Sequence, residues 1–291
     1  GPRVLLIDLD PQANATSGLG FEKTEGRSAY RALLGAESLA DRIQPTAYER
    51  LDLVPSEIDM CGVEVELPQL DDYLLRLRLA LEPLRQAPRH DIVVIDCPPS
   101  VGLLTLNSLA AADWLLVPVQ CEYYALEGIS MITRLVEQIR DSGANPDLRI
   151  LGFVMTMHDA RTKLSPQVAA DVREHFGDLV FETVIPRTTR LAEAPSHGKA
   201  IIDYDPYSVA TAAYEVLAQE VLERLQAAGL KWQAEPADAP PTAAGTPAEN
   251  TSPAPDQPPA PASDPAPENS DQSTPAPDPR PPSTPLTPPA A

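Results

Sequence analysis

Cysteine, histidine and tryptophan are all scarce in this chain: three, four and two of them in 291 residues. Cys61, Cys97 and Cys121 lie far apart with no paired spacing. That excludes a disulfide framework and leaves reduced thiols in a cytoplasmic protein as the expectation. His158, His175 and His197 are scattered, so no zinc-type ligand set is expected. No apolar run approaches the length of a membrane span, and no signal-peptide pattern is visible. Positive charge is short as well: 22 Lys and Arg stand against 42 Asp and Glu, a formal net charge of −20. Such a field repels DNA and acidic membranes, so nucleic-acid contact would need a local basic patch.

Composition changes sharply near Trp232. Residues 1–232 are ordinary globular sequence and make one domain's worth of chain. Residues 233–291 are Pro, Ala, Ser, Thr and acids, without an aromatic. They hold too little apolar surface to offset the entropy of ordering and are expected to be disordered. An unconstrained tail is the plain reading; a spacer or docking arm is the other.

What the domain does hold is two apolar runs that end in acid. Val4-Leu-Leu-Ile-Asp8-Leu-Asp10 is followed by Pro11-Gln12, and Ile92-Val-Val-Ile-Asp96 by Cys97-Pro98-Pro99. A buried parallel strand reads as continuous Val, Ile and Leu, and an acid at its carboxyl end faces the crevice where α/β proteins bind ligands. Two such strands suggest a nucleotide–Mg²⁺ site. The Gly-rich phosphate loop that serves such sites is not among the 291 residues, and the chain opens on Gly1 rather than Met. A fragment, cut after that loop, is the expectation.

The rest alternates. Short strands are expected at Leu51–Pro55, Trp114–Val119, Ile150–Met155 and Leu179–Ile185. Helices are expected at Ser28–Leu34, Leu70–Leu84 (Leu70, Leu74, Leu77, Leu81 and Leu84 at helical spacing), Leu103–Ala111, Ala125–Arg140, Ser165–Phe176 and Tyr207–Leu230. Ser165 is read as a cap with Pro166 at the first helical position, and Gln12–Gly20 as a polar loop. Strands alternating with helices imply crossover units: an α/β fold with a mostly parallel twisted sheet and helices on both faces.

Four segments together resemble the ParA/Soj partitioning ATPases of the deviant Walker A class, which also includes MinD. They are Val4–Gly20, Asp96–Leu104, Pro118–Gly128, and Val184–Arg187 with Glu193–Lys199. The resemblance covers residues 3 to about 226. It implies a P-loop NTPase-like fold that here lacks its first strand, phosphate loop and first helix. It implies ATP and Mg²⁺ as cofactors, with Asp8 in the magnesium water shell, Asp96 as the Walker B carboxylate, and Asp10 positioning the attacking water. Pro98, Pro99 and Ser100 would be a γ-phosphate-sensing switch, and Pro186 and Arg187 would line the adenine pocket. Arg161 and Arg190 match positions that bind DNA non-specifically. Lys163 and the Tyr207–Ala210 stretch depart from the usual pattern there. The partners implied are a second copy in an ATP-sandwich dimer, a ParB-like centromere-binding protein and nucleoid DNA, with no membrane.

Without its loop the chain is expected to be inactive alone and, with two sheet edges exposed, poorly soluble. Two other functions remain open. A MinD-like membrane-surface protein would need a basic amphipathic C-terminal helix where this chain is acidic and Pro-rich. A non-catalytic scaffold would have no use for three retained acids.

Overall fold

A computed structural model of the chain describes residues 1–232. Strands are β1 (Val4–Asp8), β2 (Gln44–Pro45), β3 (Leu51–Val54), β4 (Ile92–Asp96), β5 (Trp114–Gln120), β6 (Arg149–His158) and β7 (Val180–Pro186). Short helices are α1 (Asn14–Gly18), α2 (Tyr30–Leu33), α3 (Val63–Glu66), α8 (Thr189–Glu193) and α9 (Ile201–Tyr204). The longer ones are α4 (Arg76–Gln86), α5 (Leu103–Ala111), α6 (Ala125–Asp141), α7 (Leu164–Phe176) and α10 (Val209–Ala227).

The expected mostly parallel α/β arrangement is present, and the exposed sheet edges expected with it appear as a division of the strands into two sheets. The strands form a four-stranded sheet in the order β2-β3-β1-β4 and a three-stranded sheet in the order β5-β6-β7. All pairings are parallel except β2–β3. In the first sheet, Leu5 and Ile7 of β1 and Val54 of β3 face a buried cluster with Leu33, Leu77, Leu81 and Leu104. In the second, Phe153 and Met155 of β6 pack with Ile129, Val168 and Val172 of α6 and α7. Leu151 and Val154 meet Phe181 and Leu225 on α10's side. Helices thus cover both faces of the second sheet. Gly152, at a register shift between β5 and β6, is needed because a Cβ there would lie 2.5 Å from Leu179 O.

Between the sheets is a gap with a consistent geometry. Ile92 at the start of β4 and Trp114 at the start of β5 pack against the same cluster. Pro99 and Val101, beyond β4, line one cavity with Gln120 and Cys121 at the end of β5. The two strands therefore run side by side in the same direction, yet neither hydrogen-bonds the other. Their middles are uncovered: Val93, Val94 and Leu116 are 41%, 45% and 37% exposed. A central parallel strand is normally buried on both faces, so β4 and β5 are open edges.

Local departures have local causes. The helix expected from Leu70 begins only at Arg76, after Asp72 takes φ 54° and turns the chain. Ser165 is no cap: α7 begins at Leu164 after Lys163, and the buried Ser165 hydroxyl bonds Cys121 O at 3.3 Å. Part of the loop Gln12–Gly20 folds as α1. Ser208, whose side chain accepts from Thr211 N, caps α10 two residues later than its expected start. The tail expectation for 233–291 lies outside the described residues.

Candidate active site

β1 and β4 pair in register from Val4 and Ile92 to Asp8 and Asp96, so the two carboxylates leave the sheet from the same position on neighbouring strands. A further bond, Leu9 N to Asp96 O at 2.9 Å, extends the pairing past the acids. The chain then turns back through Ala13, held in the left-handed region at φ 52°. This brings Thr16 over Asp8.

Asp8 is fully buried. Its Oδ2 accepts from Thr16 N (2.8 Å) and Thr16 Oγ1 (2.7 Å), and its Oδ1 from Asp10 N (3.1 Å). Thr16 Oγ1 in turn accepts from Ser56 N at 2.8 Å, which ties the site to the end of β3. Burial pushes the Asp8 carboxyl up against those bonds, which pull it down. Asp10 Oδ1 accepts from Gln12 N at 2.9 Å. Asp96 differs: no described residue donates to its carboxylate, and burial first, then the Asp8 and Asp10 charges, push it up to about 6. Three like charges converge where water is scarce. Such an arrangement calls for a cation.

Beyond Asp96, Pro98, Pro99 and Ser100 form an irregular loop. Thr105 Oγ1 donates to Ser100 O (2.7 Å) and Pro98 O (3.3 Å), fastening the loop to α5. The first N–H groups of α5 have no cap of their own; Glu64 of α3 accepts from Leu103 N (3.1 Å) and Leu104 N (3.4 Å).

A cavity of about 780 Å³ opens at this edge, walled by Pro99 and Val101, by Val119 and Tyr124, and by Met157 and Arg187. Asp8, Asp10 and Asp96 are not among its lining residues. Pro186 pairs with His158 at the end of β7, and Arg187 N donates to His158 O at 2.9 Å. The adenine-pocket candidates thus sit at the carboxyl ends of the second sheet, across the gap from the three acids.

Arg161 and Arg190 stand apart from this cluster, and each has acid beside it. Arg161 grips Asp159 with Nε and Nη2 (2.9 and 2.8 Å), and these bonds hold that carboxyl down to about 2. Arg190 meets Glu193 at 3.2 Å and Asp205 at 3.6 Å, over the Tyr204 ring. Both arginines are therefore compensated by neighbouring acids in this fold.

The family profile described as AAA domain matches residues 1–150. The chromosome partitioning protein ParA of Caulobacter vibrioides is 48% identical over 225 residues, 77% of this chain and 84% of that protein. The chain belongs to the ParA/Soj family of P-loop ATPases. Within that family, the sporulation initiation inhibitor protein Soj of Bacillus subtilis is 49% identical over 222 residues, 76% of this chain and 87% of its own. Among solved structures, the chain resembles cobyrinic acid a,c-diamide synthase from Mycobacterium smegmatis with bound ADP and magnesium. The TM-score is 0.65 at 33% identity, covering 81% of this chain and 88% of that one. MinD from Pyrococcus horikoshii, complexed with Mg-ADP, shares the fold at TM-score 0.60 and 23% identity, over 80% and 88% of the two chains.

Sequence reasoning missed Thr16, Ser56 and Glu64. Thr16 lies eight residues beyond the Asp8 it serves, and Ser56 and Glu64 act on elements 40 and 39 residues away. Only the fold brings them in. No described helix of this ParA/Soj chain is long and apolar enough to cross a membrane.

Proposed function

We propose that this chain is the larger part of an ATP-hydrolysing DNA-segregation protein of the ParA/Soj type. The observation that carries the reading is the in-register pair Asp8 and Asp96, with Asp10 close enough for its charge to bear on Asp96. Oxygen donors alone and an excess of negative charge fit Mg²⁺. Among the described residues, no group of three or more His, Cys, Asp or Glu side chains is arranged to hold a metal unaided. Asp8 and Asp96 would therefore hold magnesium largely through its water shell, together with phosphate oxygens. When bound, the ion would neutralise charge on the transferring phosphoryl group.

Each protein group then has a task. Asp10 orients the attacking water and takes up its proton. Thr16 fixes the Asp8 rotamer so that the carboxylate faces one way. The Pro98–Ser100 loop, tied to α5 by Thr105, carries the state of the γ-phosphate into that helix. Pro186 and Arg187 flank the adenine.

The family's phosphate loop is absent from the 291 residues. We infer that it arrives on a strand that fills the gap between β4 and β5, joining both sheets into one and placing the loop between Asp96 and Arg187. Two such subunits would sandwich ATP, bind DNA without sequence preference through Arg161 and Arg190, and hydrolyse the ATP when a ParB-like partner engages. In the compensated setting described, those arginines exchange Asp159 and Glu193 for phosphates.

The test is ATP turnover, with and without DNA, by a protein given a relative's loop-bearing segment ahead of Gly1. DNA-responsive turnover that Asp10→Ala removes supports the proposal; turnover that survives Asp10→Ala refutes the role given to Asp10.

A further inference from the structure

Two glycines join the acid-bearing end of β1 to the segment that carries Arg190. Gly20 follows α1, and Gly198 follows a 3₁₀ turn over Ala194–His197. Both take positive φ, 79° and 61°. A Cβ on Gly20 would lie 3.2 Å from Gly198 O, and one on Gly198 would lie 3.4 Å from both Ser17 O and Gly20 Cα. Backbone rests on backbone here, with no flexible side chain between to take up a displacement. Close-packed contacts of this kind transmit strain.

On one side of the contact, Asp8 Oδ2 accepts from Thr16 N and Thr16 Oγ1. The turn around Thr16 is bonded to itself: Ser17 N to Ala13 O (3.1 Å), Gly20 N to Ser17 O (3.0 Å) and Phe21 N to Thr16 O (3.1 Å). Asp8, Thr16 and Gly20 thus belong to one stiff piece. On the other side, Ala194, Ile201 and Ala210 are buried together, with Leu191 and Tyr204 packed against them. The Arg190 guanidinium lies over the Tyr204 ring at 6.0 Å, and His197 stacks on that ring at 5.0 Å between centroids. Tyr204 Oη donates to Glu193 Oε2 at 3.1 Å, and Glu193 also pairs with Arg190. The segment that holds Gly198 therefore also sets Arg190.

We propose that the Gly20–Gly198 contact couples the Asp8 carboxylate to Arg190, so that a change at either is felt at the other. A cation beside Asp8 would draw on the carboxylate that Thr16 holds. The displacement passes through α1 to Gly198, and from the Ala194–Tyr204 segment to the guanidinium. An anion that takes Arg190 from Glu193 works the same route backwards, because coupling between two sites is reciprocal. The route consists of hydrogen bonds and packing, so it stands or falls independently of the ATPase reading.

Hydrogen–deuterium exchange on the full chain tests this. The amides of Lys199, Tyr204 and Asp205 bond to Ala194 O, Ala200 O and Ile201 O and report on the Arg190 side. Thr16→Val is expected to speed their exchange about 5-fold or more beyond any change in Leu81→Ala, a cavity in the first core that serves as the control for general loosening. Asp8→Asn, which keeps the side chain's size, is the second perturbation and is expected to act alike. Reciprocally, Tyr204→Leu should speed exchange at Gly20 and Phe21. In a Gly20→Ala background, where the added methyl forces the two backbones apart, the effect of Thr16→Val on residues 199–205 should vanish. Exchange at 199–205 no faster than in Leu81→Ala overturns the proposal, as does a one-way response. An effect undiminished by Gly20→Ala removes the glycine contact from the route and also overturns it.

Discussion

Asp8 and Asp96 are partners at the last paired position of β1 and β4; the Asp8 carboxylate accepts three hydrogen bonds and the Asp96 carboxylate none from the described residues. The asymmetry separates their parts: Asp8 is fixed within the fold, while the half-buried Asp96 carboxylate has no donor among the described residues. Strain of this kind at a functional site costs stability. Asp96→Asn is therefore expected to stabilise the nucleotide-free protein at pH 7.5, by roughly 1–2 kcal/mol. Urea denaturation in magnesium-free buffer checks it; a lowered midpoint would contradict it.

Thr16 is the opposite case. It is buried and joins Asp8 to Ser56, giving two bonds and receiving one. Thr16→Val keeps its shape, and its backbone N–H still bonds Asp8, but the hydroxyl bonds to Asp8 and Ser56 N are lost. A loss of about 2–4 kcal/mol is expected, read as a lower urea midpoint with an unchanged slope.

Glu220 clasps α10 to β7, accepting from Glu182 N, Thr183 N and Thr183 Oγ1 and pairing with Arg224. Burial raises its carboxyl, but these bonds outweigh burial and hold it below the usual range. A lowered folded pKa contributes stability above the unfolded value, lost as pH falls through the folded one. Glu220→Gln should therefore be less stable than the parent at neutral pH, and the difference should shrink on acidification below about pH 4. A gap that widens in acid would contradict this.

Asp159 holds Arg161 with two hydrogen bonds, and in the DNA-binding role proposed for Arg161 it would compete with DNA phosphates. Removing the acid by Asp159→Asn is expected to tighten DNA binding by the loop-restored protein in ATP. Arg161→Ala is expected to weaken it and to reduce the salt slope by about 1. Fluorescence anisotropy across a salt series distinguishes the two; equal slopes would remove Arg161 from the interface.

The open edges of β4 and β5 are templates for pairing with another chain. The chain alone is expected to self-associate, and Val94→Lys to reduce this, as measured by sedimentation velocity. A monodisperse monomer without the substitution would contradict the reading of the gap.

Much of the fold is legible in the sequence because it is written locally. Ile92–Asp96 and Leu103–Ala111 carry their strand and helix signals in contiguous residues, and the acids at both strand ends announce the site. The start of α4 is not legible because Leu70 and Leu74 keep helical spacing while Asp72 breaks the backbone; periodicity does not register a positive φ. The segment 58–69 gives no clear signal because its short helical turns, broken by Pro68, are set by packing of Met60, Val63 and Leu67 into the first core. The carboxylates Glu64 and Glu220 serve N–H groups distant in sequence, which no spacing encodes. The missing loop foreshadows the divided sheet, but only the exposures of Val93, Val94 and Leu116 give the gap its position.

The central claim is that Asp8, Asp10 and Asp96 serve one magnesium-bound nucleotide. Its most direct test is the magnesium concentration that half-saturates fluorescent ADP binding by the loop-restored protein, compared with Asp96→Asn. The expected result is an increase of about 10- to 100-fold with the fold intact by circular dichroism; an unchanged magnesium requirement would contradict the account.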